Sequence, residues 1–461
     1  MIHLSFQFVL AIDLCTLLLC TLVALRCASS VLHPALMMLG CHGYIVTLRL
    51  FQLLKGGSPM SYSFVWPVQP EEVMRAALAS DAALLAMALA WVLVRYWGRH
   101  RMAQPREPRI MLSLPRVRVM AIFTMLASVG AVAAIGPHNM VLSPDPEGLP
   151  GYLSAAAGWL PWACCLLHYI YGFSFPLLCL TIISLVSAML LSHFRGVVII
   201  PLIFLLFTWL ARRKSSRPPL ALLPAVVALW LIWLPMKPIV YSLQAGKSIA
   251  DSFSYGIEIA FGNFGQESGS GIDFQFLDMI GSTMTLVDVH GTHFWGATVA
   301  PLLVGAVPRA MWPQKPHLNE YQHELDIPSR NMAQLNMTAG LIGECYADFG
   351  YVGVIVVPFL VSLGFSLAYR RLAGTGLLSP GALLYFIFLA TFMQLYRDGL
   401  VSAVWFPFVH CAPMGWTAVS HWIWPPAESR MQASRGTPPI LACPSLLGAP
   451  FGAFVADRSE I

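Results

Sequence analysis

Long apolar segments separated by short polar loops follow one another along most of the chain. Each is about 20 residues long, the length that an α-helix needs to cross the hydrocarbon layer of a membrane. Because that layer offers the backbone no water, these Leu-, Ala- and Val-rich segments are expected to be helices. The pattern predicts about eleven spans, at residues 5–25, 31–53, 73–97, 118–136, 152–170, 173–192, 196–211, 219–236, 351–369, 380–396 and 400–422. The expected fold class is therefore all-α, a polytopic integral membrane protein.

Composition supports this class and excludes others. Of the 461 residues, 57% are hydrophobic and only 11% are charged, whereas soluble domains carry about 25% charged residues. The net charge of +5 does not indicate nucleic acid as a partner, because the basic residues lie in short loops between apolar segments. Loops 95–118 and 212–217 and the pair Arg370 and Arg371 all fall on one side of the predicted topology. The positive-inside bias places that side in the cytoplasm and the N-terminus outside.

The spacing of the spans divides the chain into four parts. Residues 1–240 hold the N-terminal transmembrane helices, and residues 351–422 hold the C-terminal ones. Between them, residues 241–350 contain no convincing 20-residue span and are predicted to form one large external, periplasmic region. Loops of this length are uncommon unless they have a function. Residues 423–461 are rich in Pro, Ser, Ala and Gly, which predicts a low-complexity cytoplasmic tail.

Charged and aromatic residues in a defined pattern are concentrated at the end of the external region. The pattern comprises Pro308-Arg309, Trp312-Pro313-Gln314-Lys315-Pro316 and Gly340-x-x-Gly343-Glu344-x-Tyr346-x-Asp348-Phe349-Gly350. At these residues the chain resembles the O-antigen polymerase family, the oligosaccharide repeat-unit polymerases of bacterial envelopes. The motifs of that family are Pro-Arg, Trp-Pro-x-Lys-Pro and Gly-x-x-x-Glu-x-Tyr-x-x-Phe-Gly. The similarity covers the stretch from Thr292 to Arg371, and elsewhere it rests on the general layout.

The resemblance implies a membrane glycosyltransferase. Such an enzyme polymerises polyprenyl-pyrophosphate-linked oligosaccharide repeats into O-antigen, a part of lipopolysaccharide, or into exopolysaccharide. It works at the outer face of the bacterial cytoplasmic (inner) membrane. The expected partners are the lipid-linked oligosaccharides and membrane lipid, and the family allows a chain-length regulator as a further partner. No cofactor is expected, because the sugar pyrophosphate bond supplies the energy.

Basic residues predicted near the external interface are candidates for binding the pyrophosphate. Guanidinium groups bind phosphate oxygens in a bidentate way and stay charged, and a lysine adds a point charge. The predicted pyrophosphate ligands are Arg195, Arg309, Lys315, Arg330 and Arg397. The alternative for each arginine is that it extends to lipid headgroups or pairs with an acid.

Glycosyl transfer also requires a group that takes the proton of the attacking hydroxyl. Glu344 occupies the motif position and is, with Arg309, the predicted catalytic residue. Its alternative is a structural acid paired with Arg309 or Arg330. Other candidates for the base are Asp288, His290, His293, His317, Glu320, His323, Glu324 and Asp348.

No metal site is predicted. The pairs His290-x-x-His293 and His317-x-x-Glu320-x-x-His323 lack the His-Glu-x-x-His arrangement of zinc proteases. Asp13, Arg49 and Asp81, which lie within early spans, are interpreted as polar contacts between helices and not as a proton path.

Two other functions remain open from the sequence. A flippase or transporter of the same lipid-linked sugars would typically show internal repeats and short external loops. An O-antigen ligase, which transfers the finished polymer, differs from a polymerase by nothing that the sequence displays.

Overall fold

The computed structural model describes residues 5–28, 32–55, 68–99, 111–135, 155–191, 196–212, 246–258, 276–300, 311–314, 339–372 and 378–425, with single positions at 153, 235, 239, 242, 302, 307 and 325. Every regular element in these ranges is helical. The elements are α1 (Phe6–Cys27), α2 (Pro34–His42), a π-helix (Gly43–Thr47), α3 (Leu48–Leu54), α4 (Pro70–Arg99), α5 (Leu114–Ile135), α6 (Leu160–Tyr171), α7 (Phe175–Leu191), α8 (Gly196–Arg212), α9 (Ile249–Ile257), α10 (Phe276–His290), α11 (Gly340–Leu372), α12 (Pro380–Ala390), α13 (Phe392–Val409) and α14 (Ala412–Ile423).

The structure confirms a helical membrane protein. Among the described residues, five helical segments are long and apolar enough to cross a membrane: Phe6–Cys27, Pro34–Leu54, Pro70–Trp97, Leu114–Ala134 and Gly340–Leu372. Shorter apolar helices overlap the predicted spans 152–170, 173–192, 196–211 and 380–396. The predicted span 400–422 overlaps α13 and α14, and the span 219–236 lies outside the described residues except for position 235. The number of eleven spans therefore stays a prediction.

Local sequence explains where several of these helices begin. The Ser5 hydroxyl accepts a hydrogen bond from the Phe8 amide and caps α1, and Ser379 caps α12 in the same way through Ala382. These bonds satisfy amides that have no partner inside the helix. The span that begins at Pro34 contains a π-helical turn directly after His42. Such turns insert a residue into the helix and are frequent at functional positions.

The described helices form two large apolar cores and a small cluster of Ala131, Ala156 and Ala157. The first lies between α1, α2, α3, α4, α10 and α11 and includes the buried side chains of Met38, Leu84 and Trp91. The second lies between α5, α6, α8, α12, α13 and α14 and contains Trp162 and Phe204 in edge-to-face contact. Most of the large apolar side chains of α5, by contrast, are exposed, as expected of a helix that faces lipid.

Part of the predicted external region packs inside the first core. Helix α10 buries nine consecutive residues, Phe276 to Met284, and also Val287. The first half of α11 is buried from Gly340 to Asp348, and at Gly350 the backbone turns with φ 60° and ψ −149°. Only glycine adopts that conformation without strain. The Gly350 break therefore separates a short buried helix from the long apolar helix that follows.

An ion pair joins α10 to α3, which belongs to the span Pro34–Leu54. Arg49 on α3 donates two hydrogen bonds to the Asp278 carboxylate, 3.0 Å from Nε to Oδ1 and 2.7 Å from Nη2 to Oδ2. Both side chains are almost completely buried. The prediction that Arg49 makes a polar contact between helices is confirmed, and the partner is an aspartate 229 positions away.

Replacing one residue of this ion pair should destabilise the protein more than replacing both. Arg49→Leu leaves the Asp278 carboxylate buried without its guanidinium, which is expected to cost about 3–5 kcal/mol of stability. The double variant Arg49→Leu/Asp278→Leu leaves no uncompensated charge and should recover much of that loss. Thermal unfolding of the purified protein in mild detergent measures the difference, with Arg118→Leu as the control for loss of a more exposed arginine. A double variant as unstable as Arg49→Leu would contradict this account.

Candidate functional site

The candidate site lies where two helix breaks meet. One break is Gly350 in α11, and the other is Gly399 in α13, where φ is 88° and ψ is −175°. The start of α11 touches the turn before the second break, since a Cβ at Gly340 would lie 2.9 Å from the Tyr396 carbonyl oxygen. We call the residues around Gly350 and Gly399 the polar end of the bundle.

Glu344 links the two breaks. Its side chain is buried, and Oε2 accepts a hydrogen bond of 2.7 Å from the amide of Leu400, the residue directly after Gly399. A helix that restarts after a break exposes unpaired amides, and a carboxylate satisfies such amides well. A Cβ at Gly399 would overlap the Glu344 carboxylate. The glycine is therefore required both for its backbone conformation and for the space that Glu344 occupies.

Asp348 lies one turn beyond Glu344 on the same face of the helix. Its Oδ1 accepts hydrogen bonds from the amides of Gly296, at 2.9 Å, and Thr298, at 3.4 Å, while Oδ2 accepts from the Thr298 hydroxyl. The backbone of Phe294 is also bonded to Ala347. These contacts lay the segment after α10 along the first half of α11. Residues 295–300 in this segment form turns.

Tyr346 points to the other side of α11, into a network around Arg75. The guanidinium of Arg75, on α4, donates to the Tyr351 hydroxyl at 2.8 Å, to Asp288 and to the Tyr346 hydroxyl. The Tyr346 hydroxyl in turn donates to Asp288 Oδ1 at 2.6 Å. Arg75 also lies over the faces of both tyrosine rings, 5.1 and 5.5 Å from their centroids. The network ties α4, α10 and both halves of α11 together.

The charge of Asp288 is stabilised by this network. Partial burial raises the pKa of its carboxyl group, but hydrogen bonds from Arg75 and Tyr346 outweigh burial, so the pKa lies below its usual value. Asp288 is therefore an ionised partner of Arg75. As an ion already paired with a guanidinium, it is a weak candidate for the general base.

Arg397 lies at the turn before Gly399. Its Nε and Nη2 donate to the carboxylate of the neighbouring Asp398 at 2.7 and 2.9 Å, and Asp398 also accepts from Gln394. The guanidinium carbon lies 5.3 Å from the centre of the Phe276 ring. The Arg397 side chain is 21% exposed, so it keeps access to the surface of the bundle.

The structure thus brings together part of the predicted set. Glu344, Asp348, Asp288, His293 and Arg397 all lie at the polar end. The predicted ligands Arg195, Arg309, Lys315 and Arg330 and the candidate bases His317, Glu320, His323 and Glu324 lie outside the described residues. The predicted roles of these residues, including the clustering of the basic side chains in one cavity, stay predictions.

Sequence reasoning missed Arg75. It lies within the predicted span 73–97, where a charge near the end of an apolar helix was available as a signal. An arginine retained in such a segment requires a partner. Nothing in the sequence indicated that its partners would be Asp288, Tyr346 and Tyr351, which follow more than 200 positions later.

An apolar groove adjoins the polar end. It has a volume of about 720 Å³ and is formed by side chains of α11, α12 and α13 together with Trp422. Leu400, whose amide is bonded to Glu344, lines this groove, as do Phe365, Leu384 and Phe388. The volume is within the range of about 300–1,000 Å³ that is usual for ligand pockets.

Comparison of the chain with protein-family models, with curated proteins and with solved structures finds no match. The interpretation of the site therefore rests on its geometry and on the sequence motifs.

The contact between Glu344 and the Gly399 break gives a prediction. Gly399→Ala should destabilise the protein by at least about 2 kcal/mol, because alanine is strained at positive φ and its Cβ would displace the Glu344 carboxylate. Gly415→Ala is the matched control: Gly415 lies inside α14 with no atom near the position of an added Cβ. Thermal unfolding of both variants in detergent measures the effect. Equal midpoints for the two variants would show that the Gly399 turn does not depend on glycine.

Proposed function

We propose that this protein is a membrane glycosyltransferase that joins polyprenyl-pyrophosphate-linked oligosaccharide repeats into a surface polysaccharide. The observation that carries the proposal is the position of Leu400. Its amide is held by Glu344 of the polymerase-like motif, and its side chain lines an apolar groove. A lipid-linked sugar requires this combination, a polar site for the headgroup beside an apolar surface for the isoprenoid chain.

The membrane topology and the pyrophosphate ligands are part of the same proposal. The eleven-span topology, with the N-terminus outside, puts the polar end at the outer face of the bacterial cytoplasmic membrane. Lipid-linked repeats are polymerised at that face in the family that the chain resembles. The donor carries its own energy in the pyrophosphate bond, so the reaction requires no nucleotide. Arg195, Arg309, Lys315, Arg330 and Arg397 are the proposed ligands of the pyrophosphate.

In this mechanism the arginines and Glu344 have different roles. Arginines bind the charge that grows on the leaving pyrophosphate, and a group stabilising such charge acts on the transition state more than on the resting complex. Glu344 is buried and bonded to Leu400, an arrangement that favours positioning of the Arg397–Gly399 turn over direct contact with a sugar hydroxyl. Its role as the general base stays a prediction from the sequence.

Arg309→Lys tests the arginine part of the mechanism. Lysine keeps the charge but loses the two-pronged hydrogen-bonding geometry. We expect elongation of purified lipid-linked repeat units to fall about tenfold or more, while the protein still inserts and purifies as a folded species. Gel analysis of product length measures the elongation.

The matched control is Arg118→Lys, because Arg118 on α5 contacts Tyr171 and is remote in sequence from the motif. Normal elongation by Arg309→Lys would remove Arg309 from the mechanism. If the wild-type protein moves the lipid-linked units across proteoliposomes without joining them, the protein is a transporter. If it transfers finished polymer only to an acceptor lipid, it is a ligase.

Glu344→Gln distinguishes positioning from proton abstraction. Glutamine has nearly the same volume and still offers an oxygen to the Leu400 amide, but it cannot take a proton at neutral pH. Positioning predicts elongation close to that of the wild type, whereas Glu344→Ala, which removes the acceptor, should lose it. Loss of elongation in Glu344→Gln with donor binding intact would instead make Glu344 the base.

A further inference from the structure

Three ionisable side chains from three helices converge inside the first apolar core. Asp13 lies on α1, His42 at the end of α2 and Asp81 on α4, and all three are buried. Nε2 of His42 is 2.8 Å from Asp13 Oδ1 and 3.3 Å from Asp81 Oδ1. One potential ligand atom from each residue lies within 4.8 Å of the others. The three atoms are therefore close enough to share one small ion.

Several oxygens of this cluster have no hydrogen-bond partner within the described part of the chain. They are Asp13 Oδ2 and both carboxylate oxygens of Asp81, although Oδ1 of Asp81 has the 3.3 Å contact with His42 Nε2. An unsatisfied polar group in an apolar interior costs free energy, and a charged one costs more. Buried carboxylate oxygens without donors are expected to have a partner of another kind. Their convergence with the ring nitrogen of His42 points to a cation.

The net charge of the three side chains also points to a cation. The described residues offer the two carboxylates no ion pair other than His42, with no Lys or Arg among their partners. A single proton on His42 leaves one net negative charge inside the core. One divalent cation bound by two carboxylates and a neutral imidazole leaves none. Two protons shared by the cluster would also balance the charge, so the two possibilities must be distinguished by experiment.

The surroundings of His42 suit a metal ligand. Its Nδ1 lies 3.0 Å from the Tyr396 hydroxyl, so that Nε2 is left facing the carboxylates. Histidine ligands of metals typically hold their second nitrogen in such a bond. The π-helical turn Gly43–Thr47 begins directly after His42 and displaces the rest of the span relative to it. Two carboxylates and one imidazole form a donor set that binds Zn²⁺, Mn²⁺ or Co²⁺.

We propose that Asp13, His42 and Asp81 form a divalent-cation site inside the membrane part of the protein, of the kind that Zn²⁺ occupies. The ion joins α1, α2 and α4, and through Tyr396 it connects them to α13, the helix that leads to the polar end. The site is independent of the proposed glycosyl transfer. It also departs from the expectation of no metal, because the histidines considered for metal binding in the sequence were His290, His293, His317 and His323.

The test uses the full-length protein in mild detergent, stripped with EDTA and then equilibrated with Zn²⁺ and desalted. We expect about one bound Zn²⁺ per chain by elemental analysis, and a higher thermal midpoint than that of the stripped protein, because an ion that binds only the folded state stabilises it. Asp81→Asn and His42→Gln should bind several-fold less Zn²⁺. The control His290→Gln, which removes an exposed histidine, should bind as much as the wild type.

Two results would overturn the proposal. The first is a wild-type protein that retains less than about a tenth of an equivalent of Zn²⁺ and does not gain stability, which would leave protons to balance the charge. The second is zinc lost in His290→Gln and kept in Asp81→Asn, which would place the ion at the surface. If the core variants do not fold, the wild type decides alone. Co²⁺ in the stripped protein should give visible absorption bands that Zn²⁺ abolishes, and their absence would count against the site.

Discussion

The requirement that buried polar groups find partners governs the described bundle. Within an apolar interior no water is available to satisfy a charge, so each ionisable side chain must be matched by another side chain, by the backbone or by a bound ion. Arg49 and Asp278 meet this requirement as a bidentate pair, and Glu344 meets it through the amide of Leu400. These contacts join helices that are far apart in the sequence. The arrangement of the N-terminal spans around α10 and α11 therefore depends on a small number of polar contacts within a large apolar core.

The first half of α11 makes several such polar contacts. Within five residues it presents Glu344 to the break in α13, Tyr346 to Arg75 on α4, and Asp348 to the segment that follows α10. The motif that resembles O-antigen polymerases is thus also the structural centre of the polar end. A substitution in it would disturb several neighbouring elements at once. For this reason, loss of activity in a motif variant is informative only when the fold is measured beside it.

The sequence predicted the fold class well, because apolar length and the lack of charge are local properties. It also predicted that Asp13, Arg49 and Asp81 would make contacts between helices, since such residues need partners wherever they lie. It could not identify the partners, because Asp278 and His42 are brought to them only by the packing of separate helices. For the same reason the sequence missed Arg75, and it gave no sign that α10, inside the predicted external region, packs in the core.

The central claim is that the protein extends lipid-linked oligosaccharides at its polar end. The most direct measurement is the length distribution of lipid-linked glycans in cells that lack the protein, compared with cells that carry it. The account predicts that single repeat units accumulate on the outer face of the membrane while long polymers disappear. Repeat units trapped on the cytoplasmic face would contradict it and would indicate transport across the membrane. Full-length polymer on the lipid carrier, left without transfer, would contradict it in favour of a ligase.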